Sequence, residues 1–253
     1  MVNRSSIREK ASAEQWAKRV DLAAAYRLVH LYGMDEMIAN HISARVPGKD
    51  GVFYINPYGM LYEQMRASCF IELDLDGNVV FNPTEHGINQ AGFVLHSAVH
   101  RARHDVDCVI HTHTLAGMAV SAMKCGLLPL AQTAMRFIDV GYHDYEGVAL
   151  NLEEQARVVR DLGNRDAMIL RNHGLLVCGP SIPEAFNNIF RLERACQLLV
   201  MALSCNTELS MPPRDLIEAT SRLYQPGVRR RFGVMEWPAL LKKLDSIDPS
   251  FRD

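Results

Sequence analysis

No two of the six cysteines stand as a CxxC pair, which excludes a zinc ribbon and a thioredoxin-type redox motif. Cys108, Cys178, Cys196 and Cys205 lie in apolar or helical patterns, as reduced core thiols do, and this points to a reducing compartment. No apolar stretch approaches the length of a membrane span. The opening segment MVNRSSIREKASAEQ has no apolar core of a secretory signal. The expectation is a cytoplasmic protein with no membrane partner. A dominant charge is missing too. Lys and Arg number 27 against 29 Asp and Glu, a net charge of −2, which gives no electrostatic case for nucleic acid. Arg229-Arg230-Arg231 is a short basic run followed by acidic residues, and it reads as a solvated or interface patch. Repeats and low-complexity tracts are also absent.

What remains is a chain of 253 residues, 48% apolar, long enough to bury a substantial core. Residues 1–12 are polar and read as a loose segment. Residues 13–208 read as one α/β domain. Residues 209–253 read as a helical extension packing on that domain or on a neighbouring subunit. An amphipathic helix is expected from Ser12 to about Leu31, stopped by Gly33. Strands are expected at His41–Val46, Val52–Asn56, Phe70–Leu75 and Val79–Phe81, with turn signals between the members of each pair. A helix from Asn89 to Arg103 carries His96 and His100, with His104 just past its end, four apart; the three suit a second metal cluster but read first as a row of partly exposed residues, with His96 the most buried. A strand at Val106–His111 and a helix at Thr114–Met123 follow. Val140–Asp144, Ala167–Leu170 and Leu175–Val177 read as short strands. Asn151-Leu152-Glu153-Glu154 and Ser181-Ile182-Pro183-Glu184 resemble capping boxes that open further helices.

The most informative feature is His111-Thr112-His113 at the end of an apolar run. Side chains two apart on a strand share a face, so both imidazoles project together. Two convergent imidazoles are most of a transition-metal site. The best third ligand is His173, in Leu170-Arg171-Asn172-His173-Gly174, where glycine permits close approach. On spacing alone, such a histidine pair serves equally well as core or interface residues. Asn40-His41-Ile42-Ser43 and Ile55-Asn56-Pro57-Tyr58-Gly59-Met60 place small polar groups in turns, which suit either ordinary turn chemistry or an anionic substrate.

These segments, in this order, together with Gly87-Ile88-Asn89-Gln90-Ala91-Gly92-Phe93-Val94-Leu95-His96, resemble the class II aldolase/adducin family over about residues 15–205, and its adducin-head-like bacterial branch most of all. The resemblance implies a three-layer α/β/α sandwich around a largely antiparallel central sheet, assembled as a homotetramer. It implies a divalent metal on His111, His113 and His173, zinc first and Mn, Co or Fe as alternatives. A small-molecule substrate is expected, contacted by Asn40, Tyr58, Gly59, Gln90 and Arg171. In the family's sugar-phosphate aldolases, the metal stabilises an enediolate while a glutamate four residues before a helix histidine moves the proton. With that histidine placed on His96, the glutamate position falls on Gly92 and two phosphate-binding serines fall on Gln90 and Ala91. Glycine transfers no proton. Glu85 is one substitute the sequence offers; Tyr142, with His143 and Tyr145, is another, reaching a neighbouring subunit's site; and Arg171 would suit a carboxylate. The expected function is a metal-dependent carbon–carbon lyase, aldolase or decarboxylase in type, acting on a small hydroxy or oxo acid. The alternative is a non-catalytic adducin-like binding module that keeps the metal site.

Overall fold

In the computed structural model, residues 4–148 and 151–253 are described. A helix, α1 (Arg4–Lys10), replaces the loose segment expected at the start, and its Ile7 is buried. Helix α2 (Ala13–Leu31) begins at a full capping box of Ser12 and Gln15 and ends at Gly33 with φ +64°, the left-handed geometry glycine favours.

Eight strands follow: β1 (His41–Arg45), β2 (Val52–Ile55), β3 (Ile71–Asp74), β4 (Val79–Phe81), β5 (Cys108–Thr112), β6 (Gly141–His143), β7 (Ala167–Leu170) and β8 (Gly174–Gly179). They form one sheet in the order β4-β3-β2-β1-β5-β8-β7-β6. Every neighbouring pair is antiparallel except β6 with β7. The helices interleaved with the strands are α3 (Gln90–Ala102), α4 (Leu115–Ser121), the single turn α5 (Gln132–Met135), α6 (Glu154–Leu162) and α7 (Ile182–Ser204). After them come α8 (Arg214–Arg222) and α9 (Trp237–Ile247).

The alternation of side chains along β5 divides the core. Cys108 and Ile110 join the larger apolar cluster with Leu22, Tyr26, Val120, Ile189 and Leu192, under α2, α4 and α7. Val109 faces the other way, into a cluster with Leu95, Val99, Val158 and Leu162 on α3 and α6. The result is the expected helix–sheet–helix sandwich. Both faces of β5 are covered, so all five of its residues are buried. The C-terminal region packs back on α2: Trp237 donates from Nε1 to Asp21 at 2.8 Å, and Phe251 is wholly buried in the larger cluster.

Two local expectations shift. Asn151 does not cap α6. Its side chain accepts the Glu153 N–H in a turn, and the helix starts at Glu154. The histidines of α3 are not a partly exposed row: His96 and His100 are fully buried, and His104, in the turn after the helix, is exposed.

Candidate metal centre

Strand β5 delivers His111 to the α3 face of the sheet, and His113 follows as the chain leaves the strand. The β7–β8 hairpin delivers His173 from its tip, where Asn172 turns the backbone at φ +54°. Gly174 is required here: a Cβ would lie 2.4 Å from the Thr112 carbonyl oxygen and 3.2 Å from the His113 ring. The ring centres of the three histidines are 4.7 to 4.8 Å apart. One nitrogen from each lies within 4.8 Å of the others. Tetrahedral zinc, with bonds of about 2.05 Å, separates its ligand nitrogens by about 3.3 Å, a spacing small ring rotations reach.

The hydrogen bonds define which nitrogens are ligands. His111 Nδ1 lies 2.9 Å from the Leu175 carbonyl oxygen. A carbonyl only accepts, so Nδ1 carries the proton and Nε2 a lone pair. His113 Nδ1 faces the Glu36 carboxylate at 2.7 Å, which orients its Nε2 inward in the same way. The two Nε2 atoms then meet at 2.9 Å. Two lone pairs at that distance repel unless a cation, proton or metal, lies between them. Burial first, then the neighbouring imidazoles, holds His111 well below its ordinary pKa and His173 down at about 4. Both are therefore neutral and ligand-competent at pH 7. An all-imidazole donor set suits zinc, and also iron, cobalt or copper. The residues present fit a bound divalent metal.

A second group adjoins the triad. His41 pairs with His111 across β1 and β5, and their rings stack at 5.2 Å. His41 Nδ1 bonds His96 Nε2 at 3.0 Å. Ser43 Oγ bridges His96 Nδ1 at 2.6 Å and His100 Nε2 at 2.7 Å. The string runs inward from the metal centre and ends at His100 Nδ1, buried without a partner. Burial pushes the pKa of His41 and His96 well below the usual histidine value and that of His100 to about 3.

This string accounts for Gly92. A Cβ at position 92 would lie 2.4 to 2.8 Å from His41 ring atoms. The imidazole of His41 occupies the space that a side chain from that turn of α3 would need.

The other sequence candidates divide. Asn40, at φ +75°, is buried with neither amide atom hydrogen-bonded. It sits one residue before β1 begins at His41, and the hydroxyl of Thr112 at the end of β5 is also buried and unpartnered. Each such group costs about 1–3 kcal/mol unless a ligand or water satisfies it. Arg171 is already engaged: it donates to the Met123 carbonyl at 2.8 Å and lies 4.1 Å over the Tyr142 ring. Tyr142 in turn accepts the Leu127 N–H at 2.9 Å. This pair braces the 123–128 turn, and Arg171 also lines a small cavity with His173. Glu85 is exposed and lines a cavity with Arg27, Glu63 and Arg66, one that no triad histidine borders. Tyr58 and Gln90 are exposed, and Gly59 lies against His86.

Sequence reasoning missed three residues. Glu36 orients His113, yet it sits in an irregular connection with no motif around it. Glu193 is buried on α7 and accepts from Thr114 Oγ1 and, at 2.8 Å, from Gln197, anchoring the start of α4 next to His113. His41 was read as turn chemistry.

A family model described as the class II aldolase and adducin N-terminal domain matches residues 20–200. The chain belongs to this family. Its likeness extends over the whole fold to a solved structure of an aldolase II superfamily protein from Pseudomonas syringae, 46% identical, with a TM-score of 0.91 and coverage of 98% of this chain and 99% of that one. It is 42% identical to mouse alpha-adducin over 246 residues, 90% of this chain but 33% of the adducin. A structure of L-fuculose 1-phosphate aldolase from Glaciozyma antarctica is 25% identical, with a TM-score of 0.83 and coverage of 95% and 94%.

Proposed function

We propose that the protein is a metal-dependent carbon–carbon lyase acting on a small hydroxy or oxo acid. The observation that carries this reading is the pair of lone-pair nitrogens, His111 Nε2 and His113 Nε2, facing each other beside His173. His111, His113 and His173 would hold the ion. When bound, it supplies Lewis acidity toward substrate oxygens. Glu36 and the Leu175 carbonyl fix the ring tautomers. The unpartnered Asn40 amide bonds a substrate hydroxyl or carboxyl. His41 stands in place of the missing glutamate: its Nδ1 is engaged with His96, which leaves Nε2 to hold or release a proton on the side facing Gly92. Arg171, which braces Met123 and Tyr142, lines a small cavity with His173 and would suit a substrate carboxylate there.

Decarboxylation fits this site better than aldol cleavage of a sugar phosphate. It asks less of a proton shuttle, and the positions of the two phosphate-binding serines hold Gln90 and Ala91. The aldolase name of the Glaciozyma antarctica structure supports lyase chemistry in general. A second reading, a metal-stabilised binding module without turnover, is favoured by the adducin likeness and by Gly92.

Metal analysis of untagged protein tests the first step. About one divalent ion per chain is expected. No bound metal, with no thermal stabilisation by Zn²⁺, Mn²⁺ or Co²⁺, would sink the enzyme reading. With metal present, hydroxy acids and sugar phosphates are assayed for CO₂ release and for carbonyl products. Turnover of neither class favours the binding module.

A further inference from the structure

The arginine run at 229–231 divides in the fold. Arg230 pairs with Glu236 at 2.5 to 2.9 Å, and Arg231 pairs with Glu184 at 2.6 to 3.0 Å. Arg229 has no carboxylate partner among the described residues. It borders a cavity of about 400 Å³ together with Arg136 and Arg191, and no acidic residue lines this space. Arg136 is held by the neutral side-chain oxygens of Asn187 and Asn188. Arg191 makes no ion pair among the described residues. Three guanidinium groups around one space repel one another unless an anion joins them.

Two further observations point to a ligand. Thr133 lines the same cavity, and its hydroxyl is buried without a partner. Tyr224 and Phe232, 5.3 Å apart, form an aromatic wall, with Arg136 and Arg229 lying 5.3 and 5.8 Å from the Phe232 ring centre. The cavity lies at the other end of the sheet from the histidines. Asn188, which holds Arg136, also donates to the Cys178 carbonyl, and Cys178 faces Val109 near the start of β5. His111 and His113 lie two and four residues further along, about 7 and 13 Å from Val109 at 3.3 Å per residue.

We propose that this cavity is a second binding site, for a small organic phosphate carrying a planar ring. The guanidinium forks and the Thr133 hydroxyl would take the phosphate oxygens, and Tyr224 and Phe232 would take the ring. The volume falls within the range of small-ligand pockets.

Calorimetry on the full chain tests this with inorganic phosphate, phenyl phosphate, AMP, adenosine and benzoate. Phenyl phosphate or AMP should bind at least tenfold more tightly than inorganic phosphate or adenosine. Arg191→Ala and Arg229→Ala, both exposed positions, should each weaken that binding at least tenfold and leave metal content and melting temperature unchanged. Three outcomes would overturn the proposal: no phosphate binding at millimolar concentration, binding unaffected by either substitution, or benzoate binding as tightly as phenyl phosphate. A sedimentation shift in Arg191→Glu, without phosphate binding to the original chain, would assign the cavity to contact with a second copy and overturn it as well.

Discussion

Two groups of histidines meet at the β1–β5 seam, the triad partly open at His113 and His173 and the inner string buried throughout, and they are opposite in bonding. In the triad, His111 and His113 each spend their Nδ1 proton on an outside acceptor and turn lone pairs toward each other. In the inner string, His41, His96, Ser43 and His100 satisfy one another link by link. The first arrangement calls for a cation. The second is complete except at its ends. Residue type alone does not separate a ligand set from a hydrogen-bonded core; the placement of protons does.

The largest effect on this contrast should come from the triad. His111→Ala or His173→Ala is expected to remove the bound metal, seen by elemental analysis, and with it any lyase turnover. The same substitution at His100 should leave metal content intact. Equal loss at His100 would mean the two groups are not distinct.

Next is the contact between them. Gly92→Ala should destabilise the fold by about 1–3 kcal/mol through overpacking against His41, measured by urea unfolding. His41→Ala should relieve most of that cost, so the double variant should be clearly non-additive. Strict additivity would show that position 92 does not meet His41. A glutamate at 92 therefore cannot simply restore aldolase chemistry in this chain, since His41 holds its space.

The string should also make stability depend on acid. The folded pKa of His100, about 3, lies below the ordinary 6.5 because of burial, so the unfolded state binds the proton first. The same direction holds for His96. Their contribution is complete above pH 6.5 and is lost as pH falls toward 3, by up to about 1.4 kcal/mol per pH unit for each group. Unfolding midpoints at pH 7, 6 and 5 check this, and a flat profile would contradict the buried, neutral assignment.

The smallest effect is expected at Glu36. Its carboxylate is partly exposed, so Glu36→Gln should weaken metal affinity by about tenfold, the low end for an outer-sphere partner, with little change in the metal-free melting temperature.

Much of this was legible in the sequence, for identifiable reasons. The triad is written in period-two spacing and in a hairpin tip whose glycine permits close approach. Strands β7 and β8 are bounded by that same element, and Ser12 and Ser181 announce their helices through short-range capping. What stayed hidden depends on contacts between distant residues. Four-residue spacing of His96 and His100 looks the same on a buried helix face as on an exposed one. Only the approach of Ser43 from β1 tells them apart. Arg171 and Tyr142 were assigned by residue type, and their contact with each other carries no sequence signal. The meaning of Gly92 could not be read without knowing where His41 points.

That last contact has a consequence beyond this chain. Positions 41 and 92 draw on a single volume, so an imidazole at one and a side chain at the other are mutually exclusive on this backbone. Read together, the two letters act as an either-or marker. A relative of this fold with a carboxylate at 92 must have given up the ring at 41 or turned it away, and one with histidine at 41 must keep glycine at 92.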